Sequence, residues 1–258
     1  MKRRFVVVSA LLLAAAMLSV LEAQRRDRNR GSGEIAQNAP YDGRWTFARI
    51  RFEMAGFGGF GGRGEPPWMH DYPASDQHLA KIVGELTAIP VRPESHNVYT
   101  LDDPELFKFP FAYLCEPGFW VPTEPEAAGL RAYLQKGGFV MFDDFLGRDF
   151  VILEDVMARA MPELRFQDVP LEHPVWDSFF KIGEPPRWHP LQQFAREPSR
   201  YLGLFEDNDP RKRLLVIANY NNDIGEYWEF SDTGLIPIDL SNEAYKLGVN
   251  YVIYAMTH

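Results

Sequence analysis

From Trp45 to Phe52 the chain alternates large apolar and polar residues ("WTFARIRF"), the period of a strand, before breaking into glycines. The period changes in "SDQHLAKIVGEL". Leu79, Ile82, Val83 and Leu86 recur at helical spacing, Ser75 is placed to cap the segment, and Pro90 ends it. The apolar run from Phe109 to Leu114 reads as a buried strand. In "TEPEAAGLRAYLQKGG", Thr123 and Glu126 form a capping box and Pro125 sits in the first turn. Ala127, Leu130 and Leu134 share a face, and Gly137–Gly138 stop the helix. "FVMF", Phe139 to Phe142, is apolar on successive residues and therefore predicts a strand buried on both faces.

Further on, "VILEDVMARAM" predicts a helix and "LRFQDVP" a short strand. "YLGLF" and "RLLVIANY" predict two strands around the turn "EDNDPRK". The last helix is capped at Ser241 and buries Ala244, Leu247, Gly248, Tyr251, Val252 and Ala255 on one broad face. A strand, a helix and a strand joined by short connections make a parallel crossover unit, so the fold class is α/β: an open, mostly parallel sheet with helices on both faces.

Composition narrows the picture. A chain of 258 residues, 46% hydrophobic and 14% aromatic, can bury one substantial core, and we expect a single α/β domain over residues 41–258. Lys2, Arg3 and Arg4 precede an apolar run from Phe5 to Leu21, with Ala23 before Gln24. Residues 1–23 therefore read as a signal peptide or an uncleaved N-terminal anchor, and the rest as exported, periplasmic or otherwise extracytoplasmic. Residues 24–40, rich in arginine and without apolar periodicity, read as a disordered linker. The formal charge is −9; cleavage after Ala23 removes a net +2 and leaves −11, which repels phosphate backbones and argues against nucleic acid as a partner. One cysteine, Cys115, excludes an internal disulfide.

Candidate chemistry lies where the predicted strands end. Ligands of open α/β sheets bind beyond the carboxyl ends of the strands, which here carry Glu116, then Asp143 and Asp144, then Asn221 and Asp223 in "NYNND". Their oxygens suit Ca²⁺ or Mg²⁺ or acid–base work, although Asp and Asn in such places also hold turns and cap helices. Asp143 ends the buried strand directly and is the ligand-facing, weak metal candidate; Asp144 is read as a cap. His173 in "LEHPVW" is a further ligand candidate, His70 and Asp71 are of the same kind, and no spacing supports zinc. No cofactor is otherwise expected. The glycines at 56, 58 and 61 satisfy G-x-G-x-x-G, but prolines rather than a helix follow them, so they read as a surface loop. Trp68, Trp120, Trp176 and Trp228 lie in or beside predicted loops, as glycan- or protein-facing surfaces or as anchors of those loops.

The segments "FARIRF", "DYPASDQHL", "LDDPELFKFPFAYLCEPGFW", "LRAYLQKGGFVMFDDF", "LEHPVWDSFF", "NNDIGEYWEF" and "YKLGVNYVIYAMTH" resemble the family known as domain of unknown function 4159. The resemblance implies a flavodoxin-like sheet similar to class I glutamine amidotransferases. It also implies envelope partners in the neighbourhood of MoxR-type ATPases and von Willebrand A-type proteins. Those amidotransferases hold their nucleophile in a G-x-C-x-G elbow, which this chain lacks: Cys115 has no flanking glycines, so glutaminase activity is not expected. Two functions remain open. One is a non-catalytic binding or interaction module; the other is a carboxylate- or metal-dependent hydrolase acting on a sugar or envelope polymer.

Overall fold

The central strands carry apolar side chains on both faces. In the computed structural model, which describes residues 35, 37–54, 66–187 and 198–258, these strands lie in the middle of a seven-stranded sheet. The expected signal or anchor, most of the linker and the glycine loop lie outside the described residues. Strands β1 (Trp45–Ile50), β2 (Val91–Tyr99), β3 (Phe111–Cys115), β4 (Phe139–Asp143), β5 (Gln167–Asp168), β6 (Arg200–Phe205) and β7 (Leu214–Tyr220) are ordered β2-β1-β3-β4-β7-β6-β5. Pairing is parallel from β2 through β7 and antiparallel for β7–β6 and β6–β5. The result is an α/β open, mostly parallel sheet, and its first four positions follow the flavodoxin-like order.

Two apolar layers cover the sheet. Helices α2 (Glu124–Gln135) and α3 (Arg148–Ala160) bury Leu130, Leu134, Leu153 and Val156 against one face. Against the other face α1 (Ala74–Leu86), α4 (Ile224–Glu229) and α5 (Ile238–Thr257) bury Leu79, Val83, Trp228, Leu247 and Val252. The capping box of α2 is present as read: Thr123 Oγ1 accepts from Glu126 N and Glu126 Oε2 accepts from Thr123 N at 2.8 Å. Among the described residues no helix is long and apolar enough to cross a membrane.

Several local expectations change. Ser241 lies inside α5, which starts at Ile238 behind Pro237, and Ser75 lies inside α1, where its hydroxyl serves a buried arginine instead of a cap. Strand β2 had no sequence signal because Arg92, Pro93, Glu94 and Ser95 are polar or strand-breaking on a sheet edge, and only its last four residues are buried. The chain also joins the domain ahead of Tyr41: Asn38 exchanges two hydrogen bonds with the backbone of Val98, at 2.9 and 2.8 Å.

β1 lies between β2 and β3, so the chain goes to one side of it and then to the other. This reversal opens a crevice at the carboxyl end of the sheet.

Candidate functional site

β4 is built to end on a carboxylate that organises the crevice. Alternation along the strand sends Phe139, Met141 and Asp143 to the same face, where Asp143 is fully buried. Its Oδ1 accepts from Asn219 Nδ2 at 2.9 Å. Its Oδ2 accepts from the amides of Ile224 and Gly225 at 2.8 and 2.9 Å and from the Tyr113 hydroxyl at 3.3 Å. Burial pushes its pKa up to about 6, against the pull of Asn219 and the two amides. Asp143, read from sequence as the ligand-facing acid and weak metal candidate, thus spends both oxygens fixing the start of α4 to the sheet.

Asp144 instead faces the crevice. Its backbone turns through a positive φ of 54°, and its Oδ2 accepts from His70 Nδ1 at 2.5 Å and from the Cys115 thiol at 3.7 Å. Its side chain is 17% exposed and that of Glu116, after β3, is 26% exposed. Glu116 Oε1 lies 3.9 Å from His70 Nδ1, and burial followed by the charge of Asp144 pushes its pKa up to about 8. His70 is held protonated well above the imidazole range, first by the charge of Asp71 and then by its hydrogen bond to Asp144, against the opposing effect of burial.

Arg49 positions His70 and Asp71. This buried arginine in β1 donates to the carbonyls of Trp68 and His70, at 3.0 and 2.9 Å, while its other nitrogens reach Ser75 and Asp76 on α1. Its guanidinium also stacks over Tyr113, 4.7 Å from the ring centroid. The turn it clamps projects Asp71 inward with φ 62°. Asp71 is 4% exposed, and neither of its oxygens accepts a hydrogen bond from any donor of the described residues. Among the described residues the cationic atom that approaches it is His70 Nε2, 3.7 Å from Oδ1. Asp71, Asp223 and Glu226 each offer an oxygen within 4.8 Å of the others, so Asp71 and Glu226 can meet only by sharing a proton or a cation. Burial, then neighbouring charge, raises Asp71 and Asp223 well above the carboxylate range and Glu226 in the same direction. Gly225 makes room for this approach, since a Cβ there would lie 2.5 Å from Asp71 Oδ2.

The crevice thus gathers five carboxylates, Asp71, Glu116, Asp144, Asp223 and Glu226, around one imidazole. Of the sequence candidates, His70, Asp71, Glu116, Asp144 and Asp223 come together here. Asn221 supports the rim by accepting from Gly147 N at 2.9 Å. His173 lies elsewhere: it packs on Phe205 and Tyr254, beside the start of β7, and accepts from Val175 N at 3.2 Å. Burial lowers its pKa to about 4, which leaves it a neutral loop anchor. Glu226 was missed, although its spacing of three residues from Asp223 at the start of a helix is a readable signal.

A family model described as "Domain of unknown function (DUF4159)" matches residues 46–256. The chain belongs to this family. The match runs from β1 almost to the end of α5 and includes every residue of the DUF4159 crevice described above. A search of curated proteins found no match.

Proposed function

We propose that this domain is an extracytoplasmic, non-catalytic binding module that takes a cationic group into the crevice beyond β1, β3, β4 and β7. One observation carries the reading: Asp71, a buried carboxylate without a hydrogen-bond donor, is aimed into a ring of like charges. A group so placed destabilises the empty fold unless it takes up a proton, and a positively charged ligand matches it without one. Ca²⁺ or Mg²⁺ fits the oxygen donors. Export is supported by the basic and apolar order of residues 2–21. MoxR-type ATPases and von Willebrand A-type proteins are the partners this reading carries over from the family resemblance.

Catalysis has weaker support. Cys115 is 0% exposed, and burial followed by the charge of Asp144 raises its thiol pKa, the reverse of an activated nucleophile. A hydrolase of a sugar or envelope polymer loses the aromatic surface that favoured it, because Trp68, Trp120, Trp176 and Trp228 are all buried.

The test is Asp71→Asn. Asparagine keeps the shape and tolerates the positive φ, so only the charge changes. At pH 8 we expect the ligand-free variant to melt at least about 5 °C above wild type, on the order of 2 kcal/mol for a domain of this size. A variant less stable than wild type would make Asp71 a structural residue and remove the binding reading.

A further inference from the structure

Resting on that reading, we propose that the carboxylates of Asp71, Asp223 and Glu226 form a binding site for one hard divalent cation, distinct from the His70–Glu116–Asp144 group beside it. Each residue of the trio offers an oxygen, and all of these lie within 4.8 Å of one another. An octahedral ion with bonds of about 2.0–2.1 Å spans oxygens about 3 Å apart, so sub-ångström to ångström movements close the site. Two of the three are already fixed. Asp71 hangs from the turn clamped by Arg49, and Asp223 is oriented by accepting from Glu226 N at 3.0 Å through Oδ1, which leaves Oδ2 for a ligand. Glu226 is half-buried and supplies the movable arm.

Donor chemistry selects the class of ion. Three carboxylates and no nitrogen or sulfur suit Mg²⁺, Mn²⁺ or Ca²⁺ over Zn²⁺ or Cu²⁺. Of the softer groups nearby, His70 Nδ1 and the Cys115 thiol both donate to Asp144 Oδ2, and His70 Nε2 lies 3.7 Å from Asp71 Oδ1, where the protonated ring is a neighbouring charge and not a ligand. The buried Asp71 is the independent mark of a ligand, because a merely solvated acidic face would leave its oxygens to water, whereas these are sealed from it and accept from no donor of the described residues.

The probe is Mn²⁺, titrated into the full chain with the free ion followed by electron paramagnetic resonance. We expect one Mn²⁺ per chain, competed by Mg²⁺ or Ca²⁺. Glu226→Gln should weaken binding at least about tenfold, the loss that even outer partners of metal ligands produce. Asp144→Asn should shift it less than about threefold, as a screened neighbouring charge would. Cooperative melting of both variants certifies their folds, and Asp71→Asn gives a second loss of binding in a chain expected to be more stable than wild type. Absence of Mn²⁺ binding would overturn the proposal. So would binding that survives Glu226→Gln and disappears in Asp144→Asn, which moves the ion to the His70 group. If Mn²⁺ fails while Asp71→Asn still stabilises, only the cation site falls; if Asp71→Asn destabilises, the binding-module reading falls with it.

Discussion

Asp143 and Asp144 are adjacent acids with opposite duties, and hydrogen-bond donors decide between them. Both oxygens of Asp143 accept from the chain: Asn219 on one side, and the Ile224 and Gly225 amides with the Tyr113 hydroxyl on the other. An amide in its place must turn an NH₂ toward one of these donors. Asn219 would have to invert in response, giving up the hydrogen bond that its Oδ1 accepts from the Tyr251 hydroxyl at 3.3 Å. Asp143→Asn should therefore cost about 2–3 kcal/mol in chemical denaturation, whereas a surface-like change near zero would contradict this role. Sequence alone showed that two carboxylates end a buried strand. It could not show which one meets amides, because those amides belong to α4, some 80 residues away in the chain. His70 and Asp71 could be named by residue type alone; their place in the site could not be read, since Arg49 and not a local motif aims them.

At the level of elements, the site is a set of strand ends joined to the first turn of α4 and to the segment after β1. Arg49 is the joint between β1, that segment and α1. Replacing it by Met leaves Asp76 buried without its cation and should cost about 3–5 kcal/mol. Adding Asp76→Leu should restore much of that stability, because a buried ion pair contributes little beyond an apolar pair of similar volume. The double variant should still lose ligand binding, since nothing then holds the carbonyls of Trp68 and His70; binding retained at wild-type strength would show that Arg49 serves stability alone. Elements with a strong apolar period were readable: β1, β3, β4, β7 and α2 formed where the pattern put them. α4, six residues long, gave too short a window for helical periodicity, and β2 gave a polar one.

For the whole molecule, sheet order converts scattered residues into one crevice. The sequence carries the α/β class through its strand–helix–strand periodicity, but not the reversal at β1 that brings residues 70–71, 116, 144 and 223–226 to the same edge, since pairing partners leave no local signal. The energetic consequence is global. Asp143 rises from 3.8 to about 6 and Glu116 from 4.5 to about 8, while Asp71, Asp223 and Glu226 rise too. A carboxyl with a raised folded-state pKa binds more protons in the folded than in the unfolded chain. Its stabilisation is full below the unfolded value and is lost as pH rises towards the folded one. His70, raised above 6.5, acts in the same direction. His173, lowered to about 4, acts the other way below about pH 6.5, so the crevice makes the ligand-free domain weaken as pH rises towards 8, and a bound cation should flatten that decline. The most direct test of a charge-strained binding crevice is the difference in melting temperature between Asp71→Asn and wild type, measured without ligand from pH 4 to pH 8. We expect a small difference at pH 4 that widens in favour of the variant as pH rises; a difference that stays constant, or that favours wild type at pH 8, would contradict the account.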